Sequence, residues 1–329
     1  MKNFNKIVKD HFILLYKKQP VKSFSIFMLV CFFIPISYSQ SHNHNRDVKD
    51  FIFGTWNTNG ARWNDVRNLM VNGQFDVLAI QEAGALPTSS RNEGSVTESH
   101  DYNSIVNEAQ RLCYIGEMNQ NDVLFGTVRE YSWQTSRGES FYLYYYDRRD
   151  HYVMSNGNQY PRVNTAIITR QRADNIFFTA PIYTNERRTN INRPIIGIRL
   201  ENAVFFNVHA APDRGGRNEA GSAVNIIRDY MAMNSPNHTW AMIGDFNRIP
   251  SELNSEILSS TPPMQTFIEN VHTGESTHES PNPSSSRELD YGVLGGSASH
   301  SDPHVSAIIA LYLLQLSMNP SDHKPVKFN

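Results

Sequence analysis

From residue 51 onward, short apolar runs alternate with polar breaks. "FIFGTW" and "FDVLAIQE" read as buried strands, and "RWNDVRNLMV" between them has apolar positions at helical spacing. Further strands are predicted at "DVLFGTVREYSW", "SFYLYYYD", "VNTAIITR", "PIIGIRL" and "AVFFNVHA". Residues 219–234, "EAGSAVNIIRDYMAMN", carry a helical pattern, and "TWAMIGDF" is the next strand. "ELDYGVLG", "SAIIALYLLQL" and "HKPVKFN" are predicted to close the chain as strands. Two polar stretches rich in Ser, 84–101 and 272–287, read as loops. Many strands, few helices, no repeat and no linker predict an α/β fold. It is a four-layer sandwich of two packed, mostly antiparallel β-sheets flanked by helices. Residues 51–329 form its one domain.

The first fifty residues follow a different pattern. A long basic stretch, "MKNFNKIVKDHFILLYKKQPVK", precedes the apolar "SFSIFMLVCFFIPISYSQ", which ends in small residues at Ser37 and Ser39. Residues 1–39 therefore read as a secretory signal peptide cut near Ser39–Gln40, with an uncleaved anchor as the alternative. The apolar segment is short for a bilayer, so the mature chain is expected to be secreted and to keep no stable membrane span. Residues 40–50 are polar and expected to be disordered.

Composition refines this picture in two places. The chain of 329 residues has a formal charge of −2, and six of its nine Lys lie in the leader. The rest holds three Lys against 21 Arg. Arg grips phosphate with a planar two-pronged fork that Lys lacks, so a net acidic chain keeps local means of holding a polyanion. Cys31 leaves with the leader, and Cys113 stands alone in the helical "EAQRLCYI", which predicts a buried thiol and no internal disulfide.

Candidate chemistry gathers where core strands end. "GTWN" ends at Asn57, "LAIQE" at Gln81 and Glu82, and "FFNVHA" presents His209. "MIGDFN" presents Asp245 and Asn247, "ELDYGV" carries Asp290, and "PSDHKPV" presents Asp322 and His323. Each has an ordinary reading, as a turn residue, a solvated loop residue or a satisfied core histidine. Together they are harder to dismiss, because a buried carboxylate is expensive unless paired, metal-bound or protonated. Carboxylate and carboxamide oxygens suit a hard cation such as Mg²⁺, and His with Asp suits proton transfer. No Cys/His spacing suggests zinc, and no Gly-rich nucleotide loop is present.

Nine motifs then fall in a familiar order: "TWN", "LAIQEAG", "FYLYYYDR", "RVNTAIITR", "NRPIIGIRL", "AVFFNVHA", "GDFN", "LDYGV" and "SDHKPV". Over residues 51–329 the chain resembles the deoxyribonuclease I-like metallophosphodiesterase superfamily. From "RVNTAI" to "FFNVHA" it is most similar to the active subunit of the cytolethal distending toxins, secreted bacterial genotoxins that enter host cells and cut nuclear DNA.

The resemblance implies roles. Glu82 matches a metal-ligating glutamate, with Asn57 beside it, and Asp322 matches an acid that touches metal. His209 and His323 match two catalytic histidines, and Asp290 matches the acid that orients the second. Asp245 and Asn247 match the pair that positions water and the scissile phosphate. Arg162 and Arg193 match phosphate-contacting arginines, and Glu139 matches a partner of the first histidine. The resemblance further implies a divalent cation, a DNA substrate and lectin-like delivery subunits. The chain departs from the pancreatic enzymes after "QEAG", where it lacks their arginine. A phosphoinositide phosphatase on the same fold is the alternative, and a non-catalytic binding protein is the alternative of another class.

Overall fold

Two strand–helix–strand crossovers build the centre of the molecule. In the computed structural model the first joins β1 (Phe53–Asn57) through α1 (Trp63–Asn72) to β2 (Val77–Gln81), and β1 and β2 pair in parallel. The structure describes residues 45–107, 126–147, 164–179, 193–212, 219–257, 266–297, 305–310 and 321–329. The leader 1–39, Cys113 and Arg162 lie outside them.

Next come β3 (Ser95–Asp101), β4 (Thr127–Gln134), β5 (Ser140–Asp147), β6 (Thr165–Thr169), β7 (Asn175–Thr179) and β8 (Ile195–Leu200). The second crossover then joins β9 (Ala203–His209) through α2 (Glu219–Asn234) to β10 (Thr239–Asp245), again in parallel. It is followed by α3 (Pro250–Glu256), β11 (Thr266–Val271), β12 (Asp290–Ser297), β13 (Ala307–Ile309) and β14 (Val326–Phe328). The strands form an eight-stranded sheet, β13-β14-β1-β2-β6-β5-β4-β3, and a six-stranded sheet, β11-β12-β10-β9-β8-β7. All other pairings are antiparallel.

The alternation of side chains explains the layers. In β2, Val77 and Ala79 enter the core between the sheets, while Leu78 and Ile80 pack with Val66 and Leu69 of α1. In β10, Ala241 and Ile243 face the inter-sheet core, while Trp240 and Met242 pack with Val224 and Ile227 of α2. Both faces are covered, so these strands read as continuous apolar runs. Filling both faces gives the order helix, sheet, sheet, helix expected from the sequence.

A polar tie crosses the central core. Gln81 Nε2 donates to Asn207 Oδ1 at 2.7 Å, and Asn207 Nδ2 donates to the carbonyls of Ile80 and Ala166 at 2.9 and 2.8 Å. Gln81 thus serves packing of the sheets. Buried amides are tolerable only when so satisfied, and satisfying them fixes how β9 lies across β2.

Several sequence expectations are corrected. The polar stretch 84–101 holds β3, an edge strand whose residues are almost all exposed. β7, β11 and α3 were not anticipated, and Pro250 occupies the first turn of α3, where its missing N–H costs nothing. Of "SAIIALYLLQL", Ala307–Ile309 forms a strand, and 311–320 lies outside the described residues. Residues 45–50, expected to be disordered, pack on the second sheet. The Arg46 guanidinium donates twice to Glu201, Val48 N–H donates to Thr239 Oγ1, and Val48 is 1% exposed. No helix among the described residues is long and apolar enough to cross a membrane.

Candidate active site

Register brings the polar strand ends to one edge. Asn57 pairs with Gln81, so Glu82 follows directly beside it. Asp245 pairs with His209 on one side and with Asp290 on the other. β1 packs over β10, and Asn57 Nδ2 reaches across the two sheets to Asp245 Oδ2 at 3.1 Å. Parallel strands point their C-terminal ends the same way, which is why two crossovers deliver Asn57, Glu82, His209 and Asp245 to one place.

Backbone geometry at this edge is unusual. Glu82 and Asn247 have φ of 49° and 50°, a left-handed conformation that non-glycine residues seldom adopt and that clusters at functional sites. The Glu82 turn is held from outside: Ala83 N–H donates to the Asn164 carbonyl at 2.8 Å. Asn164 Nδ2 donates to Tyr145 Oη at 2.7 Å, and that hydroxyl donates to the Gly84 carbonyl. Gly244 has φ +154°, and a Cβ there would meet the Val208 carbonyl oxygen at 1.9 Å. Only glycine lets β10 lie this close to β9 just before Asp245.

Asp245 sits between the two histidines. Its Oδ2 is 3.7 Å from His209 Nε2 and 3.9 Å from His323 Nε2. Its Oδ1 accepts the Asn247 N–H at 2.8 Å, so both oxygens are oriented. Burial and then the nearby Asp290 raise its pKa, against the lowering influence of His323. Glu82 Oε1 is 4.0 Å from His209 Nε2. Burial, with the positive charges of Arg193 and His323, holds the His209 pKa well below the usual imidazole range. His209 is therefore neutral.

His323 is the opposite case. Its Nδ1 lies 2.7 Å from Asp290 Oδ2. Burial opposes a charge on this ring, but Asp290, Asp245 and Asp322 outweigh it and raise the pKa to about 10. The ring is pinned through its backbone: Trp56 Nε1 donates to the His323 carbonyl at 3.0 Å, and Ser321 Oγ donates to the Asn57 carbonyl at 2.7 Å. Thr277 Oγ1 accepts the N–H groups of Leu289 and Asp290, both at 2.9 Å, and so fixes the start of β12.

Other residues named from sequence fall nearby or elsewhere. Asn247 Nδ2 and Arg193 Nη1 both donate to the Ala210 carbonyl, at 2.9 and 3.3 Å, which sets Arg193 next to His209. Asp322 lies further out, its Oδ1 accepting from Asn59 Nδ2 at 3.1 Å and its Oδ2 3.8 Å from His278 Nε2. Glu139 is a correction: its carboxylate pairs with Arg67 and bonds Thr135, and these partners hold it as a structural ion pair. Hydrogen bonding from Arg67 leads the causes that lower its pKa to about 2. Among the described residues, His209 Nδ1 makes no hydrogen bond. Sequence reading missed His278, which lies in a polar run with no apolar periodicity to place it. Asn164 was visible within "RVNTAI" but carried no assigned role.

The donor set fits a hard divalent cation. Glu82 and Asp245 bring carboxylate oxygens to one edge, 4.0 and 3.7 Å from His209 Nε2, with Asn57 hydrogen-bonded to Asp245 beside them.

Known proteins resemble this chain over most of its length. Residues 54–323 match the profile of the Endonuclease/Exonuclease/phosphatase family. A Salmonella typhi homolog of CdtB, the biologically active subunit of cytolethal distending toxin, is 30% identical over 94% of this chain and 98% of its own length. CdtB of Escherichia coli is 28% identical over 85% and 91%. Among solved structures, the Haemophilus ducreyi cytolethal distending toxin superposes with a TM-score of 0.59 at 28% identity, covering 86% of this chain and 98% of that one. Fold, family profile and relatives agree: the chain belongs to the Endonuclease/Exonuclease/phosphatase family, and within it to the CdtB group of the cytolethal distending toxins.

Proposed function

We propose that this protein is a Mg²⁺-dependent endonuclease that hydrolyses DNA phosphodiester bonds, the catalytic subunit of a secreted genotoxin. The observation that carries the reading is the position of Asp245: its Oδ2 lies within 4 Å of both His209 and His323 and accepts from Asn57, while its Oδ1 accepts the Asn247 N–H. Phosphoryl transfer asks the protein for alignment and charge stabilisation, and such a cluster supplies both.

Asn57, Glu82 and Asp322 are the residues proposed to hold the cation. When bound, the cation neutralises charge developing on the phosphate. Asp245, with both oxygens fixed, orients the attacking water and takes up its proton. His323, cationic against Asp290, donates a hydrogen bond or a proton to the phosphate on its other side. Neutral His209 offers Nε2 to a phosphate oxygen. Arg193, and Arg162 by its place in the motif, bind flanking phosphates through guanidinium forks.

The relatives named as toxin subunits support assembly with partner subunits; lectin-like delivery and action in the host-cell nucleus are part of the same proposal. The test is the purified protein on supercoiled plasmid and, side by side, on a phosphoinositide, each with Mg²⁺ and with chelator. Metal-dependent nicking at a rate well above phosphoinositide turnover is expected. The reverse preference would make it a phosphatase, and inactivity on both would leave a binding protein.

A further inference from the structure

His278 faces the catalytic histidine from a segment that reads as an ordinary polar loop. The segment is stitched to the site on two sides. His278 N–H donates to the Arg287 carbonyl and Arg287 N–H donates back, at 2.9 and 3.2 Å. On the other side, Lys324 N–H donates to the Thr277 carbonyl and Glu279 N–H to the Asp322 carbonyl, both at 2.7 Å. These bonds make His278 the antiparallel partner of His323. Side chains directly opposite in such a pair meet, and the two rings stand 4.7 Å apart at 62°.

Edge-to-face rings alone would be ordinary cross-strand packing. Two further observations point to a ligand. One ligand atom each from His278, Asp322 and His323 lie within 4.8 Å of one another. In addition, His323 Nδ1 is engaged by Asp290 at 2.7 Å, which leaves Nε2 as the nitrogen open to an ion. A carboxylate behind a ligating histidine fixes its tautomer and raises its basicity. Two imidazoles and one carboxylate, that of Asp322 shared with the proposed Mg²⁺ set, are also softer than the oxygens around Asn57 and Glu82, and suit a borderline ion rather than Mg²⁺.

We propose that His278, Asp322 and His323 form a binding site for a divalent transition-metal ion of the Zn²⁺ class, and that filling it silences the enzyme. With Nδ1 turned to Asp290, the ion takes the lone pair of His323 Nε2, any proton there passing to solvent, and Nε2 no longer faces the phosphate. Asp322 and His278 are both partly exposed, so the ion reaches the site from solvent. The silencing half rests on the nuclease reading above, whereas the binding half does not.

The test is calorimetric titration of Zn²⁺ into untagged, metal-stripped protein in excess Mg²⁺, for the parent, His278→Gln and Asp322→Asn. Far-ultraviolet circular dichroism checks that each variant is folded. Affinity for Zn²⁺ is expected to fall at least about tenfold in each variant. Plasmid nicking against rising Zn²⁺, each protein scaled to its own zinc-free rate, should show the inhibition curve of His278→Gln displaced to higher Zn²⁺ by the same factor. No Zn²⁺ binding by the parent, or unchanged affinity in both variants, overturns the site. Binding without inhibition overturns the silencing. A parent protein that nicks no DNA removes the nuclease reading, and calorimetry still decides the site.

Discussion

His323 Nδ1 stands 2.7 Å from Asp290 Oδ2, and neither side chain is more than 8% exposed. A buried imidazolium with a carboxylate behind it is both a reactive group and a pH-dependent contribution to stability. Asp290→Asn should lower turnover by roughly 10²–10⁴-fold with the fold intact. The sign of the stability effect follows from a folded pKa raised from 6.5 to about 10. The contribution is fully present below the unfolded value and is lost as pH rises through the folded one. Thermal unfolding of the parent should therefore fall between pH 6.5 and 10 more steeply than that of Asp290→Asn. Parallel profiles would remove the charge from His323.

Glu82 projects from a left-handed turn toward His209. Glu82→Gln keeps shape and removes a charge, so the Mg²⁺ dependence of nicking should move to higher concentration, by about tenfold or more. A metal titration read by plasmid relaxation measures this. Full activity of the parent in excess chelator would discard the metal-dependent mechanism.

Glu139 separates the sequence reading from the structural one. As a partner of His209 its loss would cripple catalysis, but as the partner of Arg67 its loss should spare it. Glu139→Gln is expected to turn over close to the parent while losing stability. Its folded pKa is lowered from 4.5 to about 2, so the lost contribution is the one present above 4.5 that fades toward 2. Denaturant midpoints at neutral and acid pH, compared with the parent, should converge as the pH drops.

Gly244 carries the backbone that aims Asp245. A methyl group there would collide with the Val208 carbonyl and sit at a φ that side chains avoid. Gly244→Ala should cost at least about 2 kcal/mol in urea unfolding and reduce nicking as well. Unchanged stability would mean that β10 and β9 have room to separate.

The layers were legible because central strands are covered on both faces and so spell unbroken apolar runs, as β2 and β10 do. β3 was not legible, since an exposed edge strand such as "SVTESHD" has no buried face to leave a period. α3 hid behind Pro250, whose commoner use is in a loop. Within the site, Asn57, Glu82, His209, Asp245 and Asp290 stood out because a polar residue at the mouth of an apolar run is costly. His278 and Asn207 did not: one sits in a wholly polar stretch, and the other looks like a solvent-facing residue until the second sheet covers it. Arg67 as the owner of Glu139 was likewise out of reach, because their contact joins segments 72 residues apart.

The lock between Trp56 and the backbone of His323 joins positions 267 residues apart. During synthesis the ribosome makes the first of these long before the second, and β1 waits for β14 to pair beside it. Until then a growing chain lacks His323 and the strand that follows it. Under the proposed function, hydrolysis is thus withheld from every unfinished copy, because the site closes only when the last residues have been made.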